Sequence, residues 1–337
     1  MYESFFGLNA RPFDLTPSPR FLVLTDSHRE ALRNLEYAIS SRKGITLLIG
    51  EAGAGKTTII RSAIESQPQV VHCVHLHNPT LTRAEFVEML AAHFKLSARA
   101  AESKATMLVE LEALLRQRQA AGETTVLIVD EAQSLSSDLL EEIRLLANIE
   151  TDSEKLLSVV IAGQPELAER LNAQSLRQLK QRVALRCELA PLSRAETLAY
   201  VAGRVRAAGG VGANVFTREA VDHIHDVARG LPRTINVIAD NALLGGFAAG
   251  VRPVTRQIVV DVCRDFDLGT SRTEPVLSAE PAEVPVAAAA ETPVRAATPL
   301  STVAPPPADA APTPTRDGEG LFGSFTDRRK RFSFFWS

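Results

Sequence analysis

Only three cysteines occur in the 337 residues, Cys73, Cys187 and Cys263. They stand far apart inside apolar runs, with no paired spacing, which excludes a disulfide framework or a zinc knuckle. That usage predicts buried thiols and a reducing compartment. No run of about 18 apolar residues is present, so no helix is expected to span a membrane. The opening MYESFFGLNARPFDLTPSPR carries charges and lacks a long apolar core, so no secretory signal is expected. Neither sign of charge prevails: 37 Lys and Arg face 40 Asp and Glu, a net −3. No overall basic field therefore calls for a nucleic-acid partner. The expected location is cytoplasmic.

Aromatic residues are also few, 5% of the chain, and badly distributed: six of the 18 lie in the last 17 positions. There DRRKRFSFFWS runs Arg328, Arg329, Lys330 and Arg331 into Phe332, Phe334, Phe335 and Trp336. Only six residues follow the basic run, against the roughly 20 that a membrane-crossing helix needs. One expectation for 328–336 is a peripheral contact with the inner membrane, the cations among anionic headgroups and the rings at the interface; the alternative is a disordered end or a peptide that docks on a partner protein. Before this tip, residues 271–320 hold ten of the 19 prolines and no aromatic residue. Such a segment cannot bury enough apolar surface to offset its chain entropy, so a disordered linker is expected.

Four regions follow: an α/β domain at 1–190 that includes an N-terminal strap, an all-α lid at 191–268, the linker at 269–320 and the tip at 321–337. Within the first, GITLLIG (44–50), VVHCVHL (70–76), TVLIVD (125–130), LLSVVIAG (156–163) and VALRCEL (183–189) read as strands. Their apolar residues are continuous rather than alternating, which predicts a parallel sheet with helices on both faces. After Pro191 four helical patterns follow, near 193–208, 217–228, 232–248 and 255–264. The opening FFGL…RPF segment is expected to strap onto the α/β domain.

The first strand runs into GEAGAGKTT, matching G-x-x-x-x-G-K-[ST] between a strand and a helix. Gly50, Glu51, Ala52, Gly53, Ala54, Gly55, Lys56, Thr57 and Thr58 form the expected phosphate loop of an ATP site. Its glycines let backbone amides curl around phosphate oxygens, and Lys56 reaches the β and γ phosphates. The Thr57 hydroxyl serves Mg²⁺. A helix N-terminus behind the loop adds its dipole. Further along, VLIVDEAQ ends a strand in Asp130, a carboxylate able to hold Mg²⁺, with Glu131 beside it to polarise an attacking water. Paired acids also end strands for no chemical reason; the phosphate loop upstream favours the functional reading. Two arginines stand out besides. Arg182 precedes the fifth strand, where it can reach a neighbouring subunit's nucleotide, and Arg233 follows Gly-x-Pro in the lid, where it can contact the γ phosphate.

Taken together, FFGLNARPFDLTPSPRFL, GEAGAGKTT, DEAQSLSSDLLEEIRLLANIE, VVIAGQPEL, LKQRVALRCELAPLS and GLPRTINVIADNALL resemble the AAA+ ATPases, and among them the general secretion pathway ATPases of the ExeA/GspA type. The likeness covers about 1–268. It implies a P-loop AAA+ fold, Mg²⁺-dependent ATP hydrolysis and a homo-oligomer. In it, Gln164 is a first sensor, Arg182 a finger acting in trans and Arg233 a second sensor. It also implies an envelope-complex partner, in secretion or polysaccharide export. The membrane span and peptidoglycan-binding domain of such relatives are not expected here. A DNA-directed AAA+ ATPase and a nucleotide-switch scaffold are the alternatives. His72, Cys73, His75 and His77 suggest a metal site, but alternation on a strand leaves only two imidazoles together. His223 and His225 diverge on a helix.

Overall fold

The computed structural model describes residues 1–14, 21, 23–76 and 81–266. The expected linker and tip lie outside these residues. So does His77.

Five strands, β1 (Ile45–Gly50), β2 (Val71–Leu76), β3 (Thr124–Val129), β4 (Ser158–Gly163) and β5 (Val183–Leu189), form one sheet in the order β2-β3-β4-β1-β5. All four pairings are parallel. Every residue of β1, β3 and β4 is buried, as a strand covered on both faces must be. Their alternate side chains feed two apolar layers. Ile45, Leu47, Ile49, Leu127, Val129, Val159 and Ile161 point one way, while Leu48, Val126, Ile128, Val160 and Ala162 point the other.

Helices α2 (Asp26–Ser40) and α3 (Lys56–Glu65) cover the second face through Ala31, Leu35, Ile39, Ile59, Ile60 and Ala63. The short α1 (Glu3–Phe6) precedes them. On the first face lie α4 (Arg83–Phe94), α5 (Ala98–Glu102), α6 (Lys104–Ala120), α7 (Ser137–Leu146), α8 (Pro165–Arg170) and α9 (Arg177–Arg182). Phe86, Leu90, Met107, Leu111, Leu139 and Ile143 are essentially inaccessible there. Each contributes roughly 1.5–3 kcal/mol by leaving water. The helix starts are chemically marked. Thr82 accepts from the Glu85 N–H while Glu85 accepts from the Thr82 N–H, a reciprocal cap, and Ser136 caps α7 through Leu139 N–H.

Four helices follow β5: α10 (Arg194–Ala207), α11 (Arg218–Ala228), α12 (Pro232–Ala248) and α13 (Arg256–Asp265). Pro232 occupies the first turn of α12, where a missing N–H costs nothing. These helices do not make their core alone. Tyr2, Phe6, Leu8 and Phe13 are buried among Tyr200, Val205, Phe216, Ile235 and Leu243.

The expected strap is therefore corrected: it belongs to the helical part, not to the α/β domain. Arg204 explains the choice. This buried guanidinium donates Nε to the Pro12 carbonyl at 2.6 Å and Nη1 to the Tyr200 hydroxyl at 2.6 Å. It also lies 5.9, 5.5 and 5.5 Å from the rings of Phe13, Phe21 and Tyr200. A buried charge needs such partners, and the strap supplies them. A second correction concerns the thiols. Cys187 and Cys263 are buried, but Cys73, on the edge strand β2, is exposed.

Among the described residues no helix is long and apolar enough to cross a membrane.

Candidate nucleotide site

The strand order decides where the site lies. With β4 inserted between β1 and β3, the C-terminal ends of all three open on one edge of the sheet, where the crossovers part. The residues that follow these ends are the phosphate loop, Asp130–Glu131 and Gln164.

The loop leaves β1 at Gly50 and re-enters regular structure at Lys56, the first residue of α3. Gly53 adopts φ +81, a left-handed conformation that favours glycine. A Cβ placed there would also stand 2.7 Å from Arg233 Cβ, so a side chain is excluded twice over. Lys56 is buried, and its ammonium donates to the carbonyls of Gly50 at 2.8 Å and Glu51 at 3.2 Å. The loop's own carbonyls thus hold the cation at its mouth, behind backbone N–H groups and a ten-residue helix dipole.

Thr57 and Asp130 meet directly: the Thr57 hydroxyl donates to Asp130 Oδ2 at 2.8 Å. The other Asp130 oxygen accepts the Glu131 N–H at 2.9 Å. Hydroxyl and carboxylate oxygens side by side are hard ligands, suited to Mg²⁺. His75, at the end of β2, brings Nε2 to 3.9 Å from the same Asp130 oxygen. His72 pairs with Glu123 at 2.6 Å on the other side of the strand. No group of three metal-binding side chains occurs among the described residues. In the helical part, the His225 ring bonds the Thr197 hydroxyl at 2.8 Å.

Glu131 has φ 52 and ψ 36, an uncommon backbone conformation for a side-chain-bearing residue. Its Oε2 accepts from Gln133 Nε2 at 2.5 Å and from Gln164 Nε2 at 3.2 Å. Desolvation pushes the Glu131 carboxyl up, but these two donors and the Lys56 charge outweigh it and hold the group below the usual carboxylate range. An ionised carboxylate is the form able to accept a proton.

Arg233, the second residue of α12, donates its backbone N–H to the Gly53 carbonyl at 3.2 Å, and its side chain is exposed. Arg182 lies elsewhere. It is exposed at the end of α9, immediately before Val183, which pairs with Ile45 at the beginning of β1. From Ile45 to Gly50 a strand climbs about 16 Å. Arg182 thus stands at the opposite edge of the sheet from its own phosphate loop. Its charge adds to that of Lys155, the larger influence, in lowering the Glu150 carboxyl.

Two residues at the site escaped sequence reasoning. His28 on α2 is buried, with Nδ1 2.6 Å from Thr25 Oγ1 and Nε2 3.1 Å from the Ala54 carbonyl. A carbonyl only accepts, so Nε2 carries the proton and Nδ1 accepts from Thr25. Gln133 is the second. It sits two positions after Glu131, a spacing that could have drawn attention; no local pattern marks His28.

Comparison with known proteins supports the fold. The model of the AAA domain family matches residues 39–171. General secretion pathway protein A of Aeromonas hydrophila is 40% identical over 250 residues, 74% of this chain. The chain spans 46% of that relative's length. Among solved structures, the Aeropyrum pernix ORC2 protein in ADPNP-ADP complexes has a TM-score of 0.57 at 17% identity, covering 76% of this chain and 71% of that one. Cdc6p from Pyrobaculum aerophilum has a TM-score of 0.55 at 15% identity, covering 75% and 70%. At such identities the likeness concerns the fold alone. The chain has the P-loop AAA fold, and over 250 of its residues it is similar to general secretion pathway protein A.

Proposed function

We propose that this chain binds ATP with Mg²⁺, hydrolyses it, and couples turnover to the assembly or operation of a cell-envelope system, in secretion or polysaccharide export. The observation that carries the reading is the convergence of Lys56, the Thr57–Asp130 pair and the Glu131–Gln164 pair on one sheet edge. Loop N–H groups and the Lys56 ammonium receive the β and γ phosphates. Thr57 and Asp130 would hold Mg²⁺, which supplies charge neutralisation on the phosphate oxygens when bound. Glu131 takes a proton from the water that attacks the γ phosphorus as the bond to the ADP oxygen breaks, giving ADP and phosphate. Gln164, hydrogen-bonded to Glu131, orients the water or the γ phosphate.

Arg233 rides on the helical part and contacts the loop through its first turn. Loss of the γ phosphate would there be felt as a lid movement. Arg182 stands a strand's length from its own phosphate loop, which supports action on a neighbour's nucleotide in a homo-oligomer. The envelope role rests on the likeness to general secretion pathway protein A, together with the basic-aromatic sequence at 328–336 as a peripheral membrane contact. The direct test is phosphate release by the purified chain with Mg²⁺-ATP. Release that stops on chelation supports the reading, and none under any Mg²⁺ concentration contradicts it.

A further inference from the structure

The carboxylate of Glu131 is gripped by a residue that lies outside the phosphate loop and its sensors. Gln133 Oε1 accepts the Gln164 backbone N–H at 3.1 Å. That N–H can only donate, so the orientation of the carboxamide is settled and its Nε2 must face Glu131 Oε2, 2.5 Å away. The room for this group is made by Gly163, where a Cβ would stand 3.1 Å from Gln133 Oε1 and 2.5 Å from Leu167 Cδ2.

The backbone beneath is tied as firmly. Ser134 donates both its N–H at 3.0 Å and its hydroxyl at 2.7 Å to the Glu131 carbonyl. Arg170 of α8 donates Nη1 to the Gln133 carbonyl and Nη2 to the Leu135 carbonyl, the latter at 2.8 Å. This bracing holds Glu131 in its left-handed conformation. Both donors to its carboxylate, from Gln133 and Gln164, land on Oε2. No hydrogen bond from a described residue reaches Oε1.

We propose that Gln133 is a positioning residue for hydrolysis: it clamps Glu131 Oε2 so that Oε1 is presented to the attacking water. The inference rests on the reading of Glu131 as proton acceptor. Because Gln133 also holds the Gln164 backbone, it keeps carboxylate and sensor in one unit, and neither can turn without the other. A group displaced by about 1 Å from its reacting geometry can cost up to a hundredfold in rate.

The test compares the 337-residue chain with Gln133→Met, which keeps length and volume but offers no donor, and with Gln133→Glu, which faces Glu131 with an acceptor. Steady-state Mg²⁺-ATP hydrolysis should fall about ten- to a hundredfold in kcat for Gln133→Met, with KM within about twofold, and further for Gln133→Glu. Melting temperatures report folding in each case. Apart from its hold on the Gln164 backbone, Gln133 has nothing left to position in Glu131→Gln, so Gln133→Met should cause a much smaller fractional loss in that background. Near-normal kcat in a folded Gln133→Met protein overturns the proposal, as does an equal fractional loss in the Glu131→Gln background. Either result leaves Glu131 standing as the base. Undiminished turnover in Glu131→Gln alone removes the base and this inference with it.

Discussion

Gly53 in the phosphate loop and Arg233 at the start of α12 touch: the Arg233 N–H donates to the Gly53 carbonyl at 3.2 Å, and the Arg233 side chain occupies the space a Cβ would need. The helical part is thereby seated on the loop that receives phosphate. Gly53→Ala brings a left-handed conformation and a 2.7 Å clash together. ATP affinity should drop at least tenfold, and stability by about 1–3 kcal/mol. Titration with a fluorescent ATP analogue and urea denaturation measure the two. Affinity and stability both at the wild-type level would show that this seat is irrelevant.

His28 ties the N-terminal region to the loop through Thr25 and the Ala54 carbonyl. Burial pushes its pKa down from 6.5, outweighing the carbonyl that favours the cation. The folded protein refuses a proton that the unfolded chain accepts below pH about 6.5. His28's contribution is thus complete above that value and is lost as pH falls through it toward the depressed folded pKa. His28→Gln should flatten this part of the stability–pH curve relative to wild type. Denaturant unfolding at pH 7.5 and pH 5.5 compares the slopes; parallel curves refute the assignment.

Arg182, at the far edge of the sheet, gains a role only if a second subunit brings its phosphates there. Specific activity should then rise with protein concentration. Mixing Arg182→Ala with Glu131→Gln should restore turnover, since some interfaces join an intact Arg182 to an intact Glu131. An exposed cation contributes under about 1 kcal/mol to stability. A large rate loss in a folded Arg182→Ala protein therefore reports chemistry. Concentration-independent activity without rescue returns Arg182 to a solvated surface charge.

The sequence 328–336 should bind anionic vesicles, at roughly 1 kcal/mol per cation near the surface. Sedimentation of the full chain and of one truncated after Gly320, with anionic and with neutral vesicles at low salt, separates the cases. Equal recovery of both in the supernatant would make this segment a protein-docking peptide.

The sheet was legible because its strands are buried on both faces and so read as unbroken apolar runs. GITLLIG and TVLIVD lie within a residue of β1 and β3. Leu156 and Leu157 show the limit: both are buried, yet β4 begins at Ser158, since burial alone does not distinguish strand from the approach to it. The phosphate loop was legible because its chemistry is spelled in consecutive residues. Gln164 came from resemblance, whereas Arg233 stood out by following Gly-x-Pro and took only its sensor role from resemblance. The strap was misassigned because its partners, Tyr200, Arg204 and Phe216, lie about 190 residues away, and local pattern carries no such distance. For the same reason nothing near His28 announced the Ala54 carbonyl.

Hydrolysis at this site requires a carboxylate that accepts a proton beside a loop that holds ATP. Lys56→Ala, which removes the ammonium held by Gly50 and Glu51, should abolish ATP binding. The most direct measurement is phosphate release and ATP binding by Glu131→Gln beside wild type. The expected result is wild-type-like affinity with turnover reduced at least a hundredfold, within the range for a lost general base. Wild-type turnover in the Glu131→Gln protein would contradict the assignment of Glu131 as the proton acceptor.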